Sequence, residues 1–250
     1  DSPVLSRGND KIDVKDIKIV AETPDYIVIN KPSGMLTHST NRLEKDSLAE
    51  LLAEKYPELK KVGEDPVRPG IVHRLDKEAS GLLVVARTQK MFDHLKNQFK
   101  KRTIEKEYIV LAHGKVAKDW DEINFPIARS RTTDRMSARP LAKKGEIDED
   151  SKTAKTEFLV EKRFVNFTLL RVKIYTGRMH QIRAHLLAYN HPVVGDPLYF
   201  QKKRKRMWDE RLGRLFLHCS KLGFVDLTGT KVSFESRLPK ELEEFLLKLK

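Results

Sequence analysis

Apolar and polar residues along the chain group into short strand-like blocks separated by stretches of helical spacing. Runs rich in Val, Ile, Phe and Leu at 26–29, 81–87, 107–112, 155–164, 167–176, 216–224 and 231–234 predict β-strands. The two runs flanking Val165-Asn166 predict a long antiparallel hairpin. Helical spacing lies between them. Asp46 and Ser47 open a helix whose Leu48, Leu51 and Leu52 share a face. Thr88 caps a second helix carrying Met91, Phe92, Leu95 and Phe99, and Pro239 opens the last, through Leu249. Strands and helices mixed with hairpins predict an α+β domain around an antiparallel sheet, and no repeat at a fixed period interrupts it. Loops are predicted at 32–41, 61–70 and 129–151. The last starts basic and ends acidic, the pattern of an exposed insertion.

One helical segment breaks its own pattern. Projected at about 100° per residue, Met179, Ile182, Leu186, Leu187 and Tyr189 form an apolar arc, and Arg183 falls inside it. A helix that buries this face carries a guanidinium inward, where it needs a carboxylate, preferably in bidentate contact. The duller alternatives are an arginine that snorkels to the edge of the face or pairs with a purely structural acid. Arg178, His180, Gln181 and His185 point away from the centre of the arc, free to meet solvent or a ligand.

Charge narrows the partners. Over 250 residues, 49 Lys and Arg against 36 Asp and Glu leave a net +13, while 39% apolar content keeps the chain in the globular range. Such a surface attracts polyanions, nucleic acid before anionic membrane. The basic residues cluster: seven against three acids over 87–107, six against one over 129–144, and five in a row at 202–206. Each cluster alone is more often a solvated face, but three with aromatics among them favour a polyphosphate partner. A single cysteine, Cys219, points to a cytosolic chain without a disulfide or a cysteine-based zinc site, and it reads as a small buried hydrophobe rather than a nucleophile. No apolar run is long enough to span a bilayer.

Candidate chemistry is sparse. His180 and His185 are five apart, the wrong spacing for a metal pair on one helix face, and no nucleotide-phosphate loop or serine-hydrolase elbow occurs, so no metal or cofactor is expected. The densest signal is Gly70 to Arg87, where a Pro-Gly turn leads through His73-Arg74-Leu75-Asp76 into a tight turn and a buried strand. On spacing alone Asp76 caps that turn and Arg74 is an ordinary surface base. Tyr108 opens a strand, where a tyrosine is usually sheet packing but can stack on an exposed base.

Together these segments resemble the RluA family of pseudouridine synthases. His73-Arg74-Leu75-Asp76 followed by Ser80-Gly81-Leu82-Leu83 looks like the catalytic-aspartate motif of that family. Lys31-Pro32-Ser33-Gly34-Met35 looks like the motif upstream, and Thr176 to Arg183 like the one downstream. His191-Pro192-Val193-Val194-Gly195-Asp196-Pro197-Leu198-Tyr199 and Phe216-Leu217-His218 continue the match, which runs from about Ile19 to near the C-terminus. Ala79 stands where Thr is common and Asn190 where Gly is common.

The resemblance implies a pseudouridine synthase fold: a mixed, mostly antiparallel sheet flanked by helices and loops around a central cleft. It implies a catalytic domain over 19–250 after an N-terminal extension, with no S4-type RNA-binding domain in this chain. It makes Asp76 the catalytic carboxylate, Arg183 its ion-pair partner, Tyr108 the aromatic that stacks on the target uracil, and Arg74 the side chain that fills the gap left by a flipped nucleotide. His73, Arg178, His180 and Gln181 join Arg74 as expected RNA contacts. The implied activity is isomerisation of uridine in structured RNA by a cytoplasmic, monomeric, cofactor-free enzyme. Large-subunit ribosomal RNA is the favoured substrate and tRNA the rival. Two other readings compete: a non-catalytic RNA-binding or ribosome-assembly module, which needs no inward arginine with a matched carboxylate, and a glycosidase-like hydrolase, which needs a second acid where only Asp76 stands out.

Overall fold

A computed structural model of the chain describes residues 17–39, 46–130, 135–138, 150–201 and 207–250. The backbone of the fold is a nine-stranded sheet formed by β1 (Lys18–Glu22), β2 (Tyr26–Lys31), β3 (Ser80–Ala86), β4 (Glu105–His113), β5 (Trp120–Ile123), β8 (Thr156–Arg163), β9 (Phe167–Ile174), β10 (Leu217–Val225) and β11 (Lys231–Glu235). Their order is β1-β2-β3-β10-β4-β9-β8-β5, with β11 also paired to β10. Among the described residues only the contact of β10 with β3 is parallel. β8 and β9 form the hairpin expected around Val165-Asn166. A separate two-stranded ribbon joins β6 (Ile127–Arg129) to β7 (Met136–Ala138).

The chain returns late to fill the middle of its sheet. β10 lies between β3 and β4, so the turn before β3 and the start of β4 open beside the same central strand. Gly81 makes this approach possible: it adopts φ +119°, and a Cβ there would lie 2.3 Å from the Cys219 carbonyl oxygen. Inward positions alternate as the pleat demands. On β4, Lys106, Tyr108 and Val110 are buried while Glu105, Glu107 and Ile109 are half-covered.

Among the described residues the α-helices are α1 (Leu48–Lys55), α2 (Gln89–Lys101), α3 (Gln181–Ala188), α4 (Met207–Leu212) and α5 (Lys240–Leu247). Ser47 and Glu50 form a capping box on α1, and Thr88 caps α2 through the Met91 amide. Gln98 fixes α2 to the end of β10, donating to the Val225 carbonyl and accepting from its amide. Met91, Phe92 and Leu95 enter the main core, whereas α5 buries Leu242 and Phe245 against a second cluster containing Phe164, Phe167 and Phe216. The last helix is shorter than its sequence pattern, ending at Leu247, and α4, β1, β5, β6 and β7 are not in the sequence reading. Most of these omitted elements are short, and none has an apolar run long enough to show its period. Asn190, after α3, takes φ +65°, a left-handed position that asparagine tolerates in place of glycine.

Two sequence expectations change here. β1 begins at Lys18, and Ile17 before it is already buried, so the folded sheet includes the end of the segment read as an extension. The expected insertion at 129–151 lies mostly outside the described residues, but β7 falls within it and is tied to the body through Tyr199. Lys202 to Arg206 also lie outside the described residues.

Candidate active site

A cleft of about 580 Å³ opens over the centre of the sheet, bordered by the loop before β3, the end of α2, β4 and the segment leading into α3. Among its lining residues are seven lysines and arginines and one carboxylate, Asp76. Asp76 sits in the tight turn preceding β3, where the Ala79 amide donates to its backbone carbonyl. Its side chain does not cap that turn. Oδ2 accepts from Arg183 Nη1 at 3.0 Å, and the carboxylate keeps 17% exposure toward the cleft.

The loop that carries Asp76 is held from below by the segment after β2. Lys31 is fully buried and donates to the carbonyls of Pro32, Met35 and Lys77, while Ser33 donates to Glu78 and the Gly34 amide to Lys77. Thr37 closes the arrangement, donating to the Leu75 carbonyl and accepting from its amide. Burial pushes the Lys31 ammonium down to about 7, against the pull of Asp76 and Glu78. Its three carbonyl acceptors match the three N–H groups of the protonated form.

Arg183 lies on the first turn of α3 with only 1% of its side chain exposed. Burial opposes its charge, but its carboxylate partners outweigh that and raise its pKa. The bidentate partner is Asp196: Nε and Nη2 reach its two oxygens at 2.7 and 2.8 Å. Asp196 is itself buried and accepts the backbone amides of Leu198 and Tyr199. The guanidinium is therefore anchored by one acid and presented to another.

Tyr199 supports the same guanidinium from its ring face, 4.9 Å from the centroid. Its hydroxyl accepts from the Met136 amide of β7 and meets His180 Nδ1 at 3.0 Å. A Tyr199 hydroxyl that donates to Nδ1 selects the tautomer with the imidazole proton on Nε2. That nitrogen faces Asp76 Oδ1 at 4.0 Å. Burial lowers the His180 pKa despite the neighbouring carboxylate.

Tyr108 and Lys106 line the cleft from alternate positions of β4. Tyr108 pairs in register with Cys219, and burial together with the adjacent thiol pushes its hydroxyl pKa well above the usual value. Lys106 places its ammonium 5.2 Å from the centroid of Phe99, and burial lowers its pKa. Cys219 is buried with its pKa raised to about 12 by desolvation, so it is not poised as a nucleophile.

Other residues read as ligand contacts are committed to the fold. Gln181 is buried and spends its amide on Thr176, the Arg178 amide, the Lys155 carbonyl and Thr156. His185 is also buried, between the Thr156 hydroxyl and the Phe125 carbonyl. Both were expected to face solvent or ligand. For His185 the expectation fails, because α3 has only eight residues and is wrapped on nearly all sides, with Met179 exposed in the preceding loop, whereas Gln181, though buried, still lines the cleft. His73 lines the cleft, but its ring stacks on Phe99 and Nε2 accepts the Val84 amide. Arg74 stands exposed at the rim, and Arg178 is half-buried with Nε donating to the Thr153 carbonyl. Among the described residues no group of three His, Cys, Asp or Glu side chains is arranged to hold a metal ion.

The family model described as RNA pseudouridylate synthase matches residues 25–188, which include the Asp76 turn, β4 and α3. The chain belongs to the RNA pseudouridylate synthase family. Within it, the chain is 35% identical over 236 residues to an uncharacterized RNA pseudouridine synthase of Bacillus subtilis, YlyB, covering 94% of this chain and 73% of that protein. It is 35% identical over 234 residues to the ribosomal large subunit pseudouridine synthase D of Nitrosomonas europaea, covering 92% and 64%. An uncharacterized RNA pseudouridine synthase of Aquifex aeolicus is 40% identical over 185 residues, 73% of this chain but 56% of that one. The chain thus spans a little over half to about three quarters of the length of these curated pseudouridine synthases. The solved structure of human RNA Pseudouridylate Synthase Domain Containing 1 superposes with a TM-score of 0.73 at 26% identity, covering 91% of this chain and 86% of that chain. The α+β architecture is that of pseudouridine synthases.

Proposed function

We propose that this chain isomerises uridine to pseudouridine in large-subunit ribosomal RNA, with Asp76 as its catalytic carboxylate. The observation that carries the reading is the Asp76–Arg183 pair: one partly exposed carboxylate, alone among cationic neighbours, held in the cleft by an arginine already anchored elsewhere. The reaction breaks the bond from N1 to C1′, turns the detached uracil and joins C5 to C1′, with the C5 proton lost and N1 protonated. No atom is added. The Asp76 carboxylate serves either by attack on C1′ or by assistance at the ribose C2′ position, with the Arg183 guanidinium beside it as counter-ion.

The target base must leave its stack to reach Asp76. In this reading Tyr108 offers the ring on which the uracil stacks and Arg74 fills the vacated position in the RNA; the support is that both line the cleft and Arg74 is exposed. The ribosomal assignment draws on relatives named ribosomal large subunit pseudouridine synthase D, from Nitrosomonas europaea and Buchnera aphidicola among others. The test is carbodiimide mapping of unmodified large-subunit rRNA and tRNA transcripts after incubation with wild type or Asp76→Asn. A discrete rRNA site made by wild type alone supports the reading; a site only in tRNA redirects the substrate, and turnover by Asp76→Asn sinks the mechanism.

A further inference from the structure

The border of the cleft carries charge that the chemistry at Asp76 does not use. Arg68, Lys100 and Arg102 all line it, all are exposed, and neither Lys100 nor Arg102 has an ion-pair partner among the described residues. Arg68 has a carboxylate within 3.3 Å, the half-exposed Asp65 three residues earlier. Lys100 and Arg102 extend from the end of α2, which Gln98 bolts to β10, so their backbone positions are rigid even though their side chains reach into solvent. Cations near a helix C-terminus are favoured by its dipole, which accounts for basic residues here in general.

The dipole does not account for the residue type at position 102. Arg102 is the C-cap of α2 and adopts φ +59° and ψ +34°, a left-handed conformation in which glycine is the unstrained choice. Its amide closes the helix by donating to the Gln98 and Phe99 carbonyls, a bond that glycine makes equally well. An arginine therefore occupies a strained backbone position, and its side chain borders the cleft. Strain retained at a site is a pointer to function, and a planar, multiply donating cation suits phosphate oxygens.

We propose that Arg102, with Lys100 and Arg68, forms a phosphate rail that carries the RNA backbone along the α2 wall and delivers the target nucleotide to Asp76. This deepens the reading of the cleft as an RNA site and rests on it. The rail contacts phosphate rather than bases, so it acts on any RNA strand.

The experiment measures binding of a poly(U) 30-mer over a series of KCl concentrations, beside thermal melting, for wild type, Arg102→Gly, Lys100→Ala and Lys101→Ala. Lys101 is exposed but does not line the cleft, so its variant reports the effect of net charge alone. Arg102→Gly is expected to melt at or above the wild-type temperature while affinity falls about tenfold and the slope of log K against log salt drops by about one. Lys100→Ala follows it in affinity, and Lys101→Ala changes affinity less than twofold. Unchanged affinity in Arg102→Gly, or an equal loss in Lys101→Ala, overturns the rail. Poly(U) reads the rail without turnover, so failure of the ribosomal assignment, seen in the mapping of rRNA, leaves this outcome independently legible.

Discussion

Arg183 grips Asp196 with two of its nitrogens and touches Asp76 with the third. The division of labour follows from burial. Asp196 is enclosed and takes two backbone amides besides the guanidinium, so its position is overdetermined. Asp76 has one charged partner at hydrogen-bond distance and an open side toward the cleft. An arginine shared this way orients a carboxylate without surrounding it, leaving one oxygen able to approach a substrate carbon.

The two aspartates should therefore separate function from stability. Asp76→Asn is expected to abolish pseudouridine formation while moving the unfolding free energy by less than about 1 kcal/mol, because Arg183 retains its buried partner. Asp196→Ala leaves a buried guanidinium half-paired and is expected to cost about 3–5 kcal/mol in urea denaturation, and activity with it. Equal destabilisation by the two variants would contradict the division between anchor and reactive group.

The Tyr199 hydroxyl is the hydrogen-bond partner of His180 Nδ1. Tyr199→Phe keeps the ring against Arg183 but removes the link between His180 Nδ1 and the Met136 amide. The imidazole then loses the partner that, as a donor to Nδ1, favours a proton on Nε2, the nitrogen facing Asp76. Nitrogen-15 spectra of histidine-labelled protein should show one Nε2–H tautomer for His180 in wild type and a mixture in the variant. Turnover should fall about tenfold or more, with KM nearly unchanged, since misplacing a group beside the reacting atoms is costly. A His180 spectrum identical in the two proteins contradicts the tautomer assignment.

How far the sequence reaches depends on the range of the interaction. The hairpin around Val165-Asn166, the caps at Ser47 and Thr88 and most strand centres are written locally, in alternation and capping chemistry, and the structure shows them close to where they are read. The inward turn of Arg183 is legible because a charge inside an apolar arc must be buried or exposed, but its bidentate partner is not. Asp196 lies 13 residues on, in a loop with no period to read. His185 misleads for a related reason: a helical projection assumes a solvent side, and this short helix has almost none. Lys106 is the instructive omission. It shares the pleat face of Tyr108 two residues away, so the tyrosine alone could have placed it in the cleft wall.

Lys31 should act on turnover through the backbone it holds. Lys31→Met fills similar volume but strips the Pro32 and Met35 carbonyls after β2 of their lysine donor and leaves the Lys77 carbonyl of the Asp76 loop to the Gly34 amide alone. Loosening that loop displaces the carboxylate from its line with Arg183, and a shift near 1 Å is enough to cost about a hundredfold in kcat. Binding to RNA should persist, because the surface cations are untouched. A variant with full kcat would show that the loop keeps its shape without the lysine.

Acid should unfold this protein through its buried histidines. His185 and His218 are both fully covered, and burial lowers each to about 4 from an ordinary value near 6.5. Between those values the unfolded chain takes up protons that the folded chain refuses, so stability is fully present above pH 6.5 and is lost as pH falls toward 4. Each histidine contributes a slope of about 1.4 kcal/mol per pH unit in that window. His185 is the cleaner probe, since its Nδ1 faces the Thr156 hydroxyl and its Nε2 the Phe125 carbonyl, and glutamine can serve both without titrating. Urea denaturation at pH 7, 6 and 5 should show His185→Gln somewhat less stable than wild type at neutral pH but losing stability more slowly on acidification, so that the two curves converge. Parallel curves would mean that His185 takes up its proton without unfolding the chain.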